Sequence, residues 1–529
     1  MGKKRGNLPG LPAGEQPVVE QASAGAVVAD TLGPVVADTF AGPIHVEWDS
    51  SAPLTPLGQL PFFIEFLKQG SLFDNLVADC PLEYASPNAP HKRDVLGTVM
   101  LSVLAGHWRY AHITALRCDP VNPPLLAMEK LVSEDAVRRG LDKIEESAGL
   151  SWLARHLDYT THPLLSEPWI LDIDTTVKPL YGHQEGAVVS YNPTKRGRPS
   201  HSYHCYMMAN LRLVLAAEVA PGNEHTSKHS SPRLWQLLDS LAAAHRPFLI
   251  RGDVGFGTQA VMGEAERRRQ PYLFKLRLTK NVKRAVERAM SEQDWQDAGA
   301  GWQGKNGRLR LLGWSRERRI VMLRRRTKRP LALSNKRDTD GQLSLGFADI
   351  DDGREVFEYA VLVTSLDHEI LSLGQLYRDR ADCENSFDEL NNQWGWGGFT
   401  TRDLTRCRLM AGIVALLFNW WNLFMRLADP DHHREAITSR PLLLQAIGRQ
   451  TSHAGRTTLT ITSSHGDHPK ARAALTRIAG FFLTLRRTAE QLTPLDRWYR
   501  ILSEALKKFL RGRILVPPRQ LPSGAASYG

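Results

Sequence analysis

"PWILDIDTTVKPLYG", Pro168 to Gly182, is where the chain changes character. Leu171, Ile173 and Val177 alternate with Asp172, Asp174 and Thr176, the period-two pattern of a strand whose two faces meet different surroundings. Upstream the pattern is helical, in "TPLGQLPFFIEFLKQGSLFDNL" and in "HKRDVLGTVMLSVLAGHWRYAHITALRC". Ser133 followed by two acids reads as the N-cap of a further helix, "VSEDAVRRGLDKI". Downstream come two strands in "SYHCYMMANLRLVLAAEVAPG". A helix, "SPRLWQLLDSLAAA", and a strand, "RPFLIRGDVGF", follow, and then a helix, "GTQAVMGEAERRR", and a strand, "PYLFKLRL". Strands followed by alternating helix and strand predict a mixed α/β sheet covered by helices.

A second stretch, "LYRDRADCENSFDELNNQWGWGGFTTR" from Leu376 to Arg402, reads as one helix and a glycine-rich turn. Leu376, Cys383, Phe387, Leu390 and Trp394 form its apolar stripe. Tyr377, Arg380, Glu384 and Asn391 form a polar stripe beside it, at about 100° per residue. An Arg380–Glu384 ion pair at i, i+4 would explain two of these four residues. In the turn, Gly395, Gly397 and Gly398 are expected to take backbone angles closed to other residues.

The chain has 529 residues, 42% hydrophobic and 23% charged, which predicts a globular protein of several structural units. Its formal charge of +11 favours a polyanionic partner. The five cysteines are odd in number and none forms a C-x-x-C pair. That excludes a disulfide framework or zinc knuckle and fits a reducing cytoplasm. "MGKKRGNLPG" is followed by no apolar segment of the secretory type. The uncharged run Leu409 to Met425 contains Asn419 and Asn422 and reads as a core helix, so no membrane partner is expected.

Residues 1–45 read as a flexible arm and 46–165 as a helical region, either a module that binds DNA ends or a plain bundle. A first part of an α/β core spans 166–279, and a basic β-rich insertion 280–365. A second part of the core spans 366–428, and 429–529 is a helical C-terminal region suited to dimerisation or DNA binding. From Lys305 to Arg337 thirteen lysines and arginines stand against one acid, Glu317.

Three carboxylates stand where chemistry is expected. Asp174 lies on the strand that opens the sheet, with Asp172 a competitor on the same face. Asp253 follows the strand "FLIRG", and Glu384 lies on the polar stripe. Carboxylate oxygens are the preferred ligands of Mg2+ or Mn2+. Two such ions about 3.5–4 Å apart activate an attacking hydroxyl or water and stabilise the leaving oxygen of a phosphodiester.

"DIDTT", "RGD" and Y-x-x-R-x-x-x-E together resemble the DDE transposases of bacterial insertion sequences. More narrowly, they resemble insertion-sequence family 1380 within the insertion-sequence-4 superfamily, with its Y-R-E-K signature. "VKPLYGHQEGAVVSYNPTKRGRPSH", "NSFDELNNQWGWGGFTT" and "REAITSRPLLLQAI" fit the same family. The resemblance implies a ribonuclease-H-like core of the retroviral integrase type, interrupted by the β-rich insertion. It implies Asp174, Asp253 and Glu384 as catalytic ligands of two Mg2+ or Mn2+ ions, with Tyr377 and Arg380 holding the phosphate near the cut. It also implies cut-and-paste transposition in a bacterial cytoplasm. The partners would be double-stranded DNA, as terminal inverted repeats and as target, and a second copy of the chain in a homodimer or larger synaptic complex. A transposase-derived DNA-binding protein without activity, or a metal-dependent nuclease without strand transfer, are the alternatives.

The signature's lysine falls on Asn391, so its charge is expected from a neighbour such as Lys195 or an insertion arginine. Lys195, Arg196 and Arg198 of "KRGRPSH" are expected on a loop near the DNA backbone. Arg324, Arg325 and Arg326 are expected to track phosphates. Trp302 and Trp314 either stack on an unpaired base or pack a small β unit.

Overall fold

The computed structural model describes residues 35–49, 51–192, 195–326, 357–464, 466–488 and 491–518. Two compact units divide at Ala52 and Pro53. In the first, Val35–Thr39 and Gly42–Val46 pair as an antiparallel hairpin, so the last part of the expected arm is a strand pair. The rest of that arm, residues 1–34, lies outside the described residues.

The second unit is organised by a ten-stranded mixed sheet. Ile170–Pro179 is central. On one side it pairs in parallel with Leu249–Gly252, which pairs in parallel with Tyr272–Lys275. On the other it pairs antiparallel with Pro199–Met208, which carries Leu213–Pro221 and the short Val188–Val189. Leu171, Asp172 and Ile173 are all buried, because helices cover both faces of the centre.

The region expected as a separate insertion begins with a helix, Lys280–Met290. Its strands then extend the same sheet. Phe357–Thr364 pairs with Tyr272–Lys275, and Arg318–Arg326, Trp302–Leu309 and Gln296–Gly299 follow outward, each antiparallel to the one before. The end of the basic run, from residue 327 to Arg337, lies outside the described residues.

The helix Leu404–Ala428 is the centre of the hydrophobic core. Among the described residues it alone is long and apolar enough to cross a membrane, and 94% of its most apolar window is buried inside this protein. The N-terminal helices pack on it through Phe63, whose ring meets Trp421 and Phe424 at 5.4 and 5.2 Å. The C-terminal region is not wholly helical. Gly448–His453 and Arg456–Ile461 form a hairpin, to which Leu54–Thr55 adds a third strand.

The buried amide of Asn419 completes the sheet. The pairing of Leu213–Pro221 with Pro199–Met208 shifts register between Tyr206 and Met207. There Asn419 Oδ1 accepts from Val214 N and its Nδ2 donates to Val214 O, both at 2.7 Å. Asn422 instead donates to Phe418 O of its own helix. Asn419→Leu therefore strands two buried backbone groups at about 1–3 kcal/mol each, and Asn422→Leu strands none. Thermal melts of the two variants should show Asn419→Leu unfolding at the clearly lower temperature; equal midpoints would contradict this account.

Candidate active site

The parallel pairing brings the two strand acids together. Ile173 stands opposite Gly252 in the register. One residue further along each strand come Asp174 and Asp253, on neighbouring strands about 4.8 Å apart. Asp253 is exposed at the end of its strand, and its Oδ1 accepts from Gly255 N at 2.9 Å, which fixes the turn.

Asp172 has a different fate. It stands opposite Arg251, and both of its oxygens accept from that guanidinium at 2.7 Å. The side chains are 0% and 3% exposed. Asp172 is thus committed to a buried bidentate pair, and Asp174 is the acid of that strand that opens on the cavity. An arginine inside the apolar "FLIRG" was the signal for this pair, since a buried guanidinium requires a carboxylate.

The stretch expected as one helix is two, Ile370–Arg378 and Arg380–Gln393, broken at Asp379. Tyr377 therefore belongs to the first, while Arg380, Glu384 and Asn391 belong to the second. Cys383, Phe387 and Leu390 bury the second helix against the sheet. Its end is held by Glu389, which sequence reasoning passed over. That carboxylate accepts from Trp394 Nε1 at 3.1 Å and from Ala436 N at 3.0 Å, so one side chain ties this helix to the N-terminus of the helix Ala436–Leu443. Gly395 follows with φ of 64°, the left-handed conformation that closes a helix. Gly397 and Gly398 do not share it; they make room for close neighbours instead.

Arg380 pairs with Glu384 and also lies beside Asp172, Asp174 and Asp253. Its own helix pair and its place among the strand acids are both present. Burial pushes the Asp174 carboxyl up to about 6; Arg380 opposes the shift, and the Asp253 and Glu384 carboxylates add to it. The three acids, Arg380 and Asn391 line one cavity of about 560 Å3. A second cavity, of about 450 Å3, shares Asp253, Arg380 and Glu384 and adds Tyr377, Trp302 and Arg325.

The remaining expected contacts divide. Trp302 packs edge-on to Tyr377 at 6.4 Å with Arg325 over its ring at 4.9 Å. Trp314 is buried in the core with Arg318 across its face at 5.1 Å, so no face is left for a base. The three arginines are not one patch, because successive strand residues face opposite ways. Arg324 stacks on Trp295 and Phe357 at 4.1 and 4.8 Å and donates to Gln303 Oε1, which commits it to the fold. Arg325 pairs with Glu358, and Arg326 is exposed. Lys195, Arg196 and Arg198 lie on an exposed loop, with Lys195 and Arg198 over the ring of Tyr181. Asn391 is half-buried, and its Nδ2 donates to Thr176 Oγ1 at 2.9 Å.

Among the described residues, no three His, Cys, Asp or Glu side chains are placed closely enough to hold a metal ion as they stand. The donor chemistry suits a hard divalent ion, because three carboxylates share one cavity. Arg380, paired with Glu384, occupies the position of a counter-cation.

The chain belongs to the DDE transposases: the family model described as transposase DDE domain group 1 matches residues 72–481. That family generally uses divalent metal ions. No curated protein matches the sequence. Seven chains of solved structures do. One is a piggyBac transposase synaptic complex with hairpin DNA, at 10% identity and a TM-score of 0.35, over 89% of this chain and 87% of that one.

The shifted acid makes a stability prediction for the metal-free protein. A carboxyl held above its ordinary value near 3.8 binds more protons folded than unfolded. Its cost is absent below that ordinary value and grows as pH rises through about 6. Asp174→Asn should therefore raise the melting temperature near pH 7 and leave it close to wild type near pH 4. Equal shifts at both pH values would remove burial of charge as the cause.

Proposed function

We propose that this transposase cuts DNA at the terminal inverted repeats of an insertion sequence and joins the freed ends to target DNA. We place it in insertion-sequence family 1380 of the insertion-sequence-4 superfamily. The observation that carries this reading is the pair Asp174 and Asp253 at the edge of two parallel strands, with Glu384 facing the same cavity from a helix. The strand order supports a ribonuclease-H-like core: Leu213–Pro221, Pro199–Met208, Ile170–Pro179, Leu249–Gly252 and Tyr272–Lys275, with the first three antiparallel and the last two parallel.

Asp174, Asp253 and Glu384 would hold two Mg2+ or Mn2+ ions. When bound, these supply the charge that lowers the barrier to phosphoryl transfer. For them to bind, Glu384 leaves its pair with Arg380, and the freed guanidinium turns to a phosphate, whose oxygens match its fork. Tyr377 donates to the same phosphate from the adjoining cavity. In the first step a water oxygen attacks phosphorus, the P–O3′ bond breaks, and the 3′-oxygen leaves as a hydroxyl. In the second that hydroxyl attacks a target phosphodiester, and a target 3′-oxygen leaves. Trp302, edge-on to Tyr377 beneath Arg325, is the ring available to an unpaired base. The exposed Lys195, Arg196 and Arg198 loop follows the backbone outside the site, and two copies of the chain pair two ends.

Asp174→Ala, Asp253→Ala and Glu384→Ala should each abolish Mg2+-dependent nicking of an end fragment while gel shifts show binding retained. Asp172→Ala should behave differently. It leaves Arg251 buried without its carboxylate, at about 3–5 kcal/mol, and so should lower the yield of folded protein. Nicking by Asp174→Ala at the wild-type rate would sink the assignment. Cutting by the wild type with no joined product would leave a nuclease.

A further inference from the structure

The acid cavity contains a cation that the sequence pattern does not single out. Lys178 lies on the Ile170–Pro179 strand and, by alternation, on the face of Asp174 and Thr176. It lines the same cavity as the three acids. Among the described residues its ammonium has no ion pair, and its one hydrogen bond goes to the backbone oxygen of Asn391 at 3.4 Å. An ammonium has three donors, so two remain for whatever enters.

The stem of Lys178 is as constrained as its head is free. A Cβ at Gly397 would come within 2.8, 3.0 and 2.9 Å of its Cγ, Cδ and Cε. The bare glycine in "QWGWGG" is thus the floor over which the lysine reaches the cavity. Burial lowers the lysine's proton affinity, and the Asp388 carboxylate partly restores it. Across the cavity, Asn391 donates to Thr176 Oγ1, while its own Oδ1 is buried with no hydrogen-bond partner. The amide at the signature position is committed to the strand, and the charge lies on the strand beside it. Lys195, one of the two expected sources of that charge beside an insertion arginine, lies over Tyr181 on an exposed loop.

We propose that Lys178 binds a backbone phosphate of the DNA next to the bond being cut, in place of a lysine at position 391. This rests on the transposase reading above. The ligand is a phosphodiester anion, because the ammonium has no ion pair among the described residues and the transposase reading brings a DNA backbone to this cavity.

The test moves the charge. Binding of the full chain to a duplex carrying the terminal sequence of its own element is measured across a salt series, and Mg2+-dependent nicking of the same duplex is followed. Lys178→Gln should flatten the slope of log K against log salt by about 0.9, one phosphate contact, and reduce nicking by roughly tenfold or more. Lys178→Gln with Asn391→Lys should restore the slope and most of the nicking. An unchanged slope for a folded Lys178→Gln overturns the proposal. So does a flattened slope that Asn391→Lys fails to restore, since the lysine then serves the fold. A wild type that binds but never cuts defeats the transposase reading instead, and the slopes still decide the role of Lys178.

Discussion

The pair between Asp172 and Arg251 holds the site in register. It joins two parallel strands at the one pairing that sets Asp174 beside Asp253. A third donor of the same guanidinium, Nη1, reaches the backbone oxygen of Leu376, near the break between the two helices. One arginine therefore fixes both strands and the approach of the helix that brings Glu384. The net stabilisation by such a pair is small, because desolvation offsets most of the attraction. Its strength lies in discrimination: a slip of one residue would bury two unpaired charges and turn every side chain of the strand to the opposite face.

Around that frame the site gathers carboxylates in a partly buried cavity. Asp174, Asp253, Glu384 and Asp388 share a half-covered cavity with Arg380 and Lys178, and burial makes Asp174 hold its proton more tightly. Ionising Asp174 in the resting site is opposed mainly by its burial. In the proposed reaction a divalent cation would offset that burial, and Arg380, which lies beside Asp174 and Asp253, would be the residue it displaces. Electrostatic strain in the resting state and stabilisation of the working state are then two sides of one arrangement.

Much of this was legible before any coordinates. The alternation in "DIDTT", the end of "FLIRGD" and the stripe through Arg380 and Glu384 mark the three acids, because period and position along an element are local properties. What lay hidden depends on partners far away in the chain. Asp172 and Asp174 share a face, and only the arrival of Arg251, 79 residues on, separates a structural acid from one that opens on the cavity. Lys178 reads as one more polar residue near the end of a strand until Gly397 and Asn391 are folded against it. The break at Asp379 was invisible because helical spacing continues across it. Arg324 was misjudged, and the two readings of Trp314 stayed open, for a similar reason: exposure at the margin of a basic run is set by which face of the strand is covered.

The packing of the first helices has a bearing on how the chain is made. Gln59 donates to the backbone oxygen of Leu442, 383 residues away, and Trp498 Nε1 donates to Tyr159 O across 339. Phe63 and Phe66 lie against rings of the Leu404–Ala428 helix, and Phe66 also meets Trp498. During synthesis at about 5–20 residues per second, the N-terminal helices wait tens of seconds for the surfaces that cover them. Until Leu404–Ala428 has been made, Phe63 and Phe66 lack the rings they pack against.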